Sequence, residues 1–284
     1  MNPVILYDNL LSRGALTVTS EATGYPIENV TDLRSFTKWK ASSEATQDIE
    51  VDLTPVGALL EGAGAGRIML EGAGAGQIML EGEASGAELP NAIGIFNHNF
   101  GSIGATVKVY RDNGGWELLE TINPTTDKPI LSYWVAASSI KFKIEISGAA
   151  EAPYAGVIML GVYLSMPDPP DAPYVPVNEG IKVSTEISEA GHLLGSVVEH
   201  FPININPRWT NAPNFTRTWY TTYFLPFWED HGRWIKPFFY GWDLVNRPDD
   251  VFYVHLDPGF VRAEALSLLT YTDSVELLLK GVSL

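Results

Sequence analysis

The sequence predicts an all-β protein built from two β-rich units. Short segments alternate apolar and polar side chains, a period of two that is typical of strands with one buried face. Segment 140–146 is the clearest case, because Ile140, Phe142, Ile144 and Ile146 share one face and charged side chains share the other. Clusters rich in glycine, proline and asparagine separate such segments, as turns do between strands. The second unit has no long helical pattern, so it is predicted to be β-rich, with residues 263–269 forming either one short helix or another strand.

The first unit is organised around residues 92–110. Ile93 and Ile95, and then Val107 and Val109, are apolar at alternate positions, whereas residues 97–102 are polar and contain glycine. This pattern predicts two core strands joined by a loop. The other predicted strands are 15–20, 49–53, 116–122, 140–146 and 154–166 in the first unit, and 181–187, 251–256 and 275–279 in the second. Several strands separated by turn signals imply a β-sandwich for the first unit.

A Gly/Ala repeat interrupts the first unit. The segments LEGAGAG at 60–66, RIMLEGAGAG at 67–76 and QIMLEG at 77–82 recur with a ten-residue period, and the whole insertion covers about 58–86. Glycine at this density opposes a helix, so short strands linked by glycine turns are predicted. Two interpretations remain open, a flexible insertion and a strand-donating segment that pairs with a neighbouring subunit.

A proline-rich stretch marks the boundary between the units. Four prolines occur within residues 167–173, a composition that favours an extended and semi-rigid spacer. The predicted organisation is therefore a β-sandwich over 1–166, a linker over 167–176 and a β-rich assembly domain over 177–284.

Composition excludes several function classes. The net charge of −16 disfavours nucleic acid as a partner, because phosphate binding depends on clustered lysine and arginine. The chain has no cysteine, which excludes thiolate metal ligands and thiol nucleophiles. The beginning of the sequence lacks the pattern of a signal peptide, and no apolar run is long enough for a membrane span. We therefore expect a protein made in a cytoplasm, without membrane insertion.

No catalytic, cofactor-binding or metal-binding constellation is predicted. The five histidines lack metal-ligand spacing. The run Trp228-Glu229-Asp230-His231 could contribute to an acid/base site, or it could be a polar turn between apolar segments. Aromatic residues concentrate in 209–242, where they are expected to form core and a subunit interface, with sugar stacking as the alternative. The candidate interaction surface comprises Asn97, His98, Asn99, Trp219, Trp228 and Trp234.

Five segments of the first unit resemble the discoidin, or F5/8 type C, family. They are ALTVTSEATGYPIENVTD, FTKW followed by ASS, IEVDL, AIGIFNHN and IKFKIEIS, in that order within residues 10–165. The resemblance implies a galactose-binding-like jelly roll, and the Gly/Ala repeat departs from it. Members of this family bind ligands through loops at one end of the barrel. No residue-level binding motif of the family matches here, so the resemblance assigns no ligand residue and no structural calcium site.

Three further segments resemble tail and baseplate proteins of long-tailed bacteriophages: NAIGIFNHNFGSIGATVKVY, APYAGVIMLGVYLSMP and EAGHLLGSVV. This resemblance implies a non-enzymatic structural protein of the tail tip, made in the host bacterial cytoplasm and located in the virion. Its implied partners are further copies in a homo-oligomeric ring, other tail proteins, and carbohydrate on the host surface. The alternatives are a carbohydrate-binding adhesion module and an accessory domain of a glycoside-active enzyme.

Overall fold

The computed structural model describes residues 2–53, 90–136, 138–171, 178–179, 182–189, 192–200, 203–210, 213–258 and 274–281. The Gly/Ala repeat, and with it the predicted insertion over about 58–86, lies outside these residues. The last part of the predicted linker, from residue 172, also lies outside them.

A five-stranded antiparallel sheet forms one layer of the protein. Its order is β2-β4-β9-β6-β7, where β2 is Ala15–Val18, β4 is Gln47–Asp52, β9 is Lys141–Ser147, β6 is Thr106–Asp112 and β7 is Trp116–Ile122. The side chains of β4 and β9 alternate between buried and half-buried positions, as the period of two in the sequence predicts. The apolar face of this sheet points towards the second layer.

A four-stranded antiparallel sheet forms the second layer. Its order is β3-β10-β5-β8, where β3 is Trp39–Lys40, β10 is Tyr154–Gly161, β5 is Ala92–His98 and β8 is Ile130–Tyr133. The two sheets enclose one apolar core that contains the fully buried rings of Trp39, Phe100 and Phe142. The β-sandwich predicted for the first part of the chain is thus confirmed, and the described fold is mostly β.

A seven-stranded sheet forms the third layer. Its order is β11-β1-β17-β18-β20-β15-β12, with β11 at Leu164–Ser165, β1 at Val4–Leu6, β17 at Phe238–Gly241, β18 at Val251–Leu256, β20 at Leu279–Gly281, β15 at Ile203–Ile205 and β12 at Asn178–Glu179. Two antiparallel strand pairs complete the described strands, β13 (Lys182–Ile187) with β14 (Leu193–His200) and β16 (Arg208–Thr210) with β19 (Ser274–Glu276).

The first strand of the chain belongs to this third layer. Val4 of β1 pairs with Gly241 of β17, so residues near both ends of the chain share one sheet. The outer face of the four-stranded sheet packs against the same layer, and Gly94 shows how closely. A Cβ on Gly94 would lie 2.5 Å from the ring of Phe239. The domain boundaries stay a prediction, but the two halves of the chain share a buried interface.

Helical turns cover the far side of the seven-stranded sheet. A helical segment, residues 217–234, consists of α-helix at Arg217–Trp219, π-helix at Tyr220–Phe224, α-helix at Leu225–Asp230 and 3-10 helix at Gly232–Trp234. The sequence does not predict these helical turns, because the second unit has no long helical pattern. The buried rings of Tyr220, Phe224 and Phe227 recur at spacings of three and four, which places them on one side of a helix. Within the described residues, no helix is long and apolar enough to cross a membrane.

Candidate functional site

Two of the predicted interaction residues point into the protein. His98 is 2% exposed and Asn99 is 8% exposed. The His98 ring accepts a hydrogen bond from the Phe100 amide at Nδ1 (3.2 Å), so its Nε2–H donates to the Lys128 carbonyl (2.8 Å). Burial lowers the pKa of His98 and keeps the ring neutral. The Asn99 side chain accepts from the Tyr154 amide (2.9 Å). Both side chains hold the loop after β5 and leave no surface for a partner, which corrects the prediction.

Asn97, the third member of that group, positions a different loop. Its backbone is left-handed, with φ of 54°, and its side-chain amide donates to the Ser35 carbonyl at 2.7 Å. The two residues are far apart in sequence, so this bond ties the β5 end of the sandwich to the loop before β3. Asn97 is a positioning residue for that loop.

The loop of residues 32–38 has two further anchors. Leu33 is left-handed, with φ of 64°, and its carbonyl accepts a hydrogen bond from the Tyr253 hydroxyl of β18 at 3.0 Å. Asp32 Oδ1 accepts from the Arg34 amide (2.8 Å) and from the Thr37 hydroxyl (2.9 Å). A left-handed leucine costs of order 1 kcal/mol, so the surrounding bonds must hold it in place.

Gly156 lets the loop approach the sheet. A Cβ at this position would lie 2.9 Å from Asn97 Cβ and 3.2 Å from the Thr37 carbonyl oxygen. Any side chain would therefore push against the loop and the residue that anchors it. The loop of residues 32–38 can contact β10 this closely because Gly156 has no side chain.

The anchored loop presents aromatic and cationic groups to solvent. Phe36 is 79% exposed, and the Arg34 guanidinium lies 6.0 Å from the centre of its ring. Lys38 Nζ lies 4.0 Å from the ring centre of Tyr154 on β10. Lys40 is paired with Tyr154 across β3 and β10, so the side chains share one face. We name Arg34, Phe36, Lys38, Lys40 and Tyr154 the basic loop surface.

The three predicted tryptophans all lie in the helical segment, far from Asn97 in sequence. Trp219 and Trp228 are half-buried and pack against the core of the third layer. Trp234 is 62% exposed. Its Nε1–H donates to the Glu229 carbonyl (3.0 Å), and the Arg233 guanidinium lies 4.9 Å from the centre of its ring. Trp234 alone of the three presents most of its ring to solvent.

A shallow cleft of about 100 Å³ lies beside the helical segment. Its lining includes Tyr7, Asp8, Tyr163 and Tyr223. Burial raises the pKa of Tyr7 to about 12 and also raises the pKa of Asp8, whose carboxylate pairs with Arg13. The cleft lining therefore combines three tyrosine rings with one carboxylate.

His231 lies behind the cleft, with its ring edge-on to that of Tyr7 at 5.3 Å. Burial lowers its pKa to about 4, and Asp230 lies 3.1 Å from its Nδ1. The run Trp228-Glu229-Asp230-His231, considered above as a possible acid/base site, therefore contains a histidine that is buried and neutral at neutral pH. Within the described residues, no group of three or more acidic or histidine side chains is placed to hold a metal ion.

Sequence reasoning missed the basic loop surface. The residues were visible in LRSFTKWK, but nothing in that string says that Phe36 is exposed. The exposure depends on the bond from Asn97, which the sequence does not reveal. The one signal available was the density of cations in an acidic chain.

Comparisons with known proteins give structural neighbours only. No family model and no curated protein matches the sequence. Chitosan-binding module 1 of a chitosanase/glucanase from Paenibacillus sp. IK-5 is 16% identical, with a TM-score of 0.36, and the alignment covers 54% of this chain and 98% of the module. The family 32 carbohydrate-binding module of Clostridium perfringens NanJ, in complex with galactose, is 14% identical, with a TM-score of 0.38 and coverages of 57% and 99%.

A second family 32 module from Clostridium perfringens, in complex with GalNAc-β-1,3-galactose, is 12% identical with a TM-score of 0.38. Its alignment covers 55% of this chain and 100% of the module. These neighbours are carbohydrate-binding modules. The comparisons give the predicted tail-tip role no support, so that role stays a prediction.

Proposed function

We propose that this chain is a non-catalytic carbohydrate-binding protein, and that the basic loop surface contacts the sugar. The observation that carries the proposal is the placement of Phe36, which is 79% exposed on a loop held by side-chain hydrogen bonds from Asn97 and Tyr253. Burying a phenylalanine side chain contributes about 1.5–3 kcal/mol of favourable free energy. Because Phe36 is not buried in the folded chain, a ligand that covers its ring would gain this free energy on binding.

The groups around Phe36 suit a sugar ring. A sugar has apolar C–H faces that pack on an aromatic ring and hydroxyls at its edge that accept hydrogen bonds. Arg34 and Lys38 carry only donors, and both lie beside aromatic rings. Since Asn97, Gly156 and Tyr253 fix the loop in advance, binding would spend little free energy on ordering it.

A glycan array probed with the full chain tests this proposal. We expect saturable binding to at least one glycan class, and a loss of about tenfold or more in affinity for Phe36→Ala. Trp116→Ala is the matched control, because it removes an exposed aromatic ring of β7, outside both proposed surfaces, and should leave sugar binding unchanged. Equal binding by wild type and Phe36→Ala would refute the site.

We propose as a second function that this chain assembles at a phage tail tip. It would then be located in the virion, form a ring with further copies of itself and bind other tail proteins. The observation that favours it is a set of exposed apolar side chains in the second half of the chain, Tyr223, Trp234, Ile235 and Val245. Subunit interfaces bury side chains of this kind.

Analytical ultracentrifugation at rising protein concentration tests this assembly. A ring would dissociate on Trp234→Ala but not on Phe36→Ala. A chain that stays monomeric at tens of micromolar would count against assembly through this surface. Immunogold labelling of particles would then decide the location, since label away from the tail end contradicts the tail-tip role.

A further inference from the structure

The basic loop surface concentrates positive charge in an acidic protein. The chain has 18 lysine and arginine residues against 34 aspartate and glutamate residues. Residues 33–40 contain Arg34, Lys38 and Lys40 and no acidic residue. A solvated face of this protein would be expected to mix both signs, or to be mainly acidic. The loop departs from that expectation.

Five other cations in the described part of the sandwich are paired with carboxylates, whereas these three are not. On the five-stranded sheet, Lys141 lies 2.8 Å from Asp52 and Arg111 lies 2.8 Å from Glu117. In the part of the chain that the structure describes, none of the three loop cations forms an ion pair with a carboxylate. Arg34 and Lys38 instead lie against aromatic rings.

The nearest carboxylate in sequence is occupied by the loop itself. Asp32 accepts hydrogen bonds from the Arg34 amide and from the Thr37 hydroxyl. Its oxygens thus bond to the backbone and to a hydroxyl within the loop and not to the loop cations.

We propose that the sugar bound at the basic loop surface is anionic, with a carboxylate or a sulfate group that the loop cations contact. This inference rests on the proposed function and narrows its ligand class. A guanidinium binds a carboxylate or sulfate through two parallel hydrogen bonds, and lysine adds a mobile point charge. The ring of Phe36 provides the sugar face, and the cations select the charged substituent.

Matched pairs of glycans test the ligand class with the full chain. Each pair contains an acidic glycan and its neutral counterpart: tetragalacturonate with its carboxyl-reduced form, sialyllactose with lactose, and a heparin tetrasaccharide with its desulfated form. We expect the acidic member of at least one pair to bind about tenfold more tightly, and Arg34→Gln to remove most of that difference. Whether the preferred pair carries carboxylate or sulfate identifies the charged group.

Arg247→Gln is the matched control, because Arg247 is exposed and lies in the other half of the chain. It should leave every affinity unchanged. Equal binding to both members of every pair would overturn the inference and leave the proposed function intact. Binding of no glycan at all would overturn the proposed function. Polyaspartate is the last probe, and competition by this peptide as effective as that of the acidic glycan would also overturn the inference, since it would show attraction to charge without a sugar.

Discussion

The basic loop surface and the helical segment both present an exposed aromatic ring, but the rings are held differently. Phe36 projects from a loop whose anchors come from other layers, Asn97 of β5 and Tyr253 of β18. Trp234 lies at the end of a helical turn, and its own neighbours Glu229 and Arg233 occupy its ring nitrogen and cover its face. The loop is therefore rigid through tertiary bonds, whereas Trp234 is fixed by local ones.

A buried histidine lies next to the loop anchor Asn97, namely His98, and another, His231, lies in the helical segment; the two differ in how fully they are bonded. Both ring nitrogens of His98 have partners. In the described part of the chain, Nε2 of His231 is buried without one, and its Nδ1 lies beside Asp230. This difference predicts that acid acts on the helical segment before it acts on the loop.

The largest expected effect is a loss of stability on acidification through His231. Burial lowers its pKa to about 4 in the folded protein, whereas an unfolded chain has the ordinary histidine pKa of about 6.5, so the unfolded chain binds a proton more readily between these values. Stability is full above pH 6.5 and falls as the pH drops towards 4. At pH 5 this group accounts for a loss of about 2 kcal/mol. Urea denaturation at pH 7.5 and pH 5 measures it.

His231→Gln should remove about that much of the pH dependence, because glutamine does not titrate. Trp234→Ala provides the control, because it changes an exposed side chain of the same segment and removes no titratable group, so it should leave the pH dependence as in wild type. An unchanged pH dependence in His231→Gln would mean that His231 does not titrate as its burial indicates. If acid acts on the helical segment before it acts on the loop next to His98, amide hydrogen exchange in the wild-type protein at pH 5 should be faster in the helical segment than in that loop.

The second effect concerns glycines that allow close packing in each region. In Gly156→Ala the new methyl group meets Asn97 Cβ at 2.9 Å and the Thr37 carbonyl oxygen at 3.2 Å, so backbone must move. We expect a loss of about 1–3 kcal/mol in unfolding free energy.

In Gly232→Ala the methyl group meets the Trp228 ring at 2.7 Å, and that half-buried side chain can shift. The expected loss is smaller, about 1 kcal/mol or less.

Thermal or urea denaturation of the two variants compares them directly. Limited proteolysis adds a local measure, since cleavage within 32–38 should increase in Gly156→Ala alone. Equal losses in both variants would mean that the loop and the helical segment yield equally to an added methyl group.

The sequence predicted strands well where burial follows a simple alternation. Segment 49–53 was predicted as a half-buried strand, and β4, Gln47–Asp52, alternates buried and half-buried side chains. Segment 140–146 is displaced by one residue, to Lys141–Ser147, and Ile140 is 42% exposed although the alternation placed it on the buried face. Ile140 precedes the strand, where its carbonyl accepts a hydrogen bond from the Leu53 amide at 2.8 Å. An alternating pattern does not say where a strand begins.

The helical segment was missed because its aromatic residues have middling helix propensities and Pro226 interrupts the run. Two signals could have indicated it. Thr216 caps the segment by accepting a hydrogen bond from the Trp219 amide at 3.1 Å, and Pro226 lies in the first turn of the Leu225–Asp230 helix, where proline is tolerated.

The candidate site depends on contacts between residues far apart in sequence, and a single sequence does not encode these visibly. Asn97 was proposed as an interaction residue because it begins the polar run of residues 97–102. Nothing in the sequence indicates that Asn97 bonds to Ser35. The pairing of β1 with β17 is similarly out of reach, because it joins Val4 to Gly241 across most of the chain. What the sequence does show is local: apolar residues at alternate positions predict strands, and the composition gives an acidic chain with few cations.

The smallest expected effect isolates the anchor that the second half of the chain gives to the loop. Burial raises the pKa of Tyr253, so its hydroxyl is protonated and donates to the Leu33 carbonyl at 3.0 Å. Tyr253→Phe keeps the stacked ring and removes this donor, which should cost about 0.5–1.5 kcal/mol. Hydrogen exchange should rise at the amides of residues 33–38, whereas Leu225–Asp230 serves as the internal control and should not change. If exchange rises in neither region, the bonds from Asn97 and Asp32 suffice, and the loop that presents Phe36 is anchored by the sandwich alone.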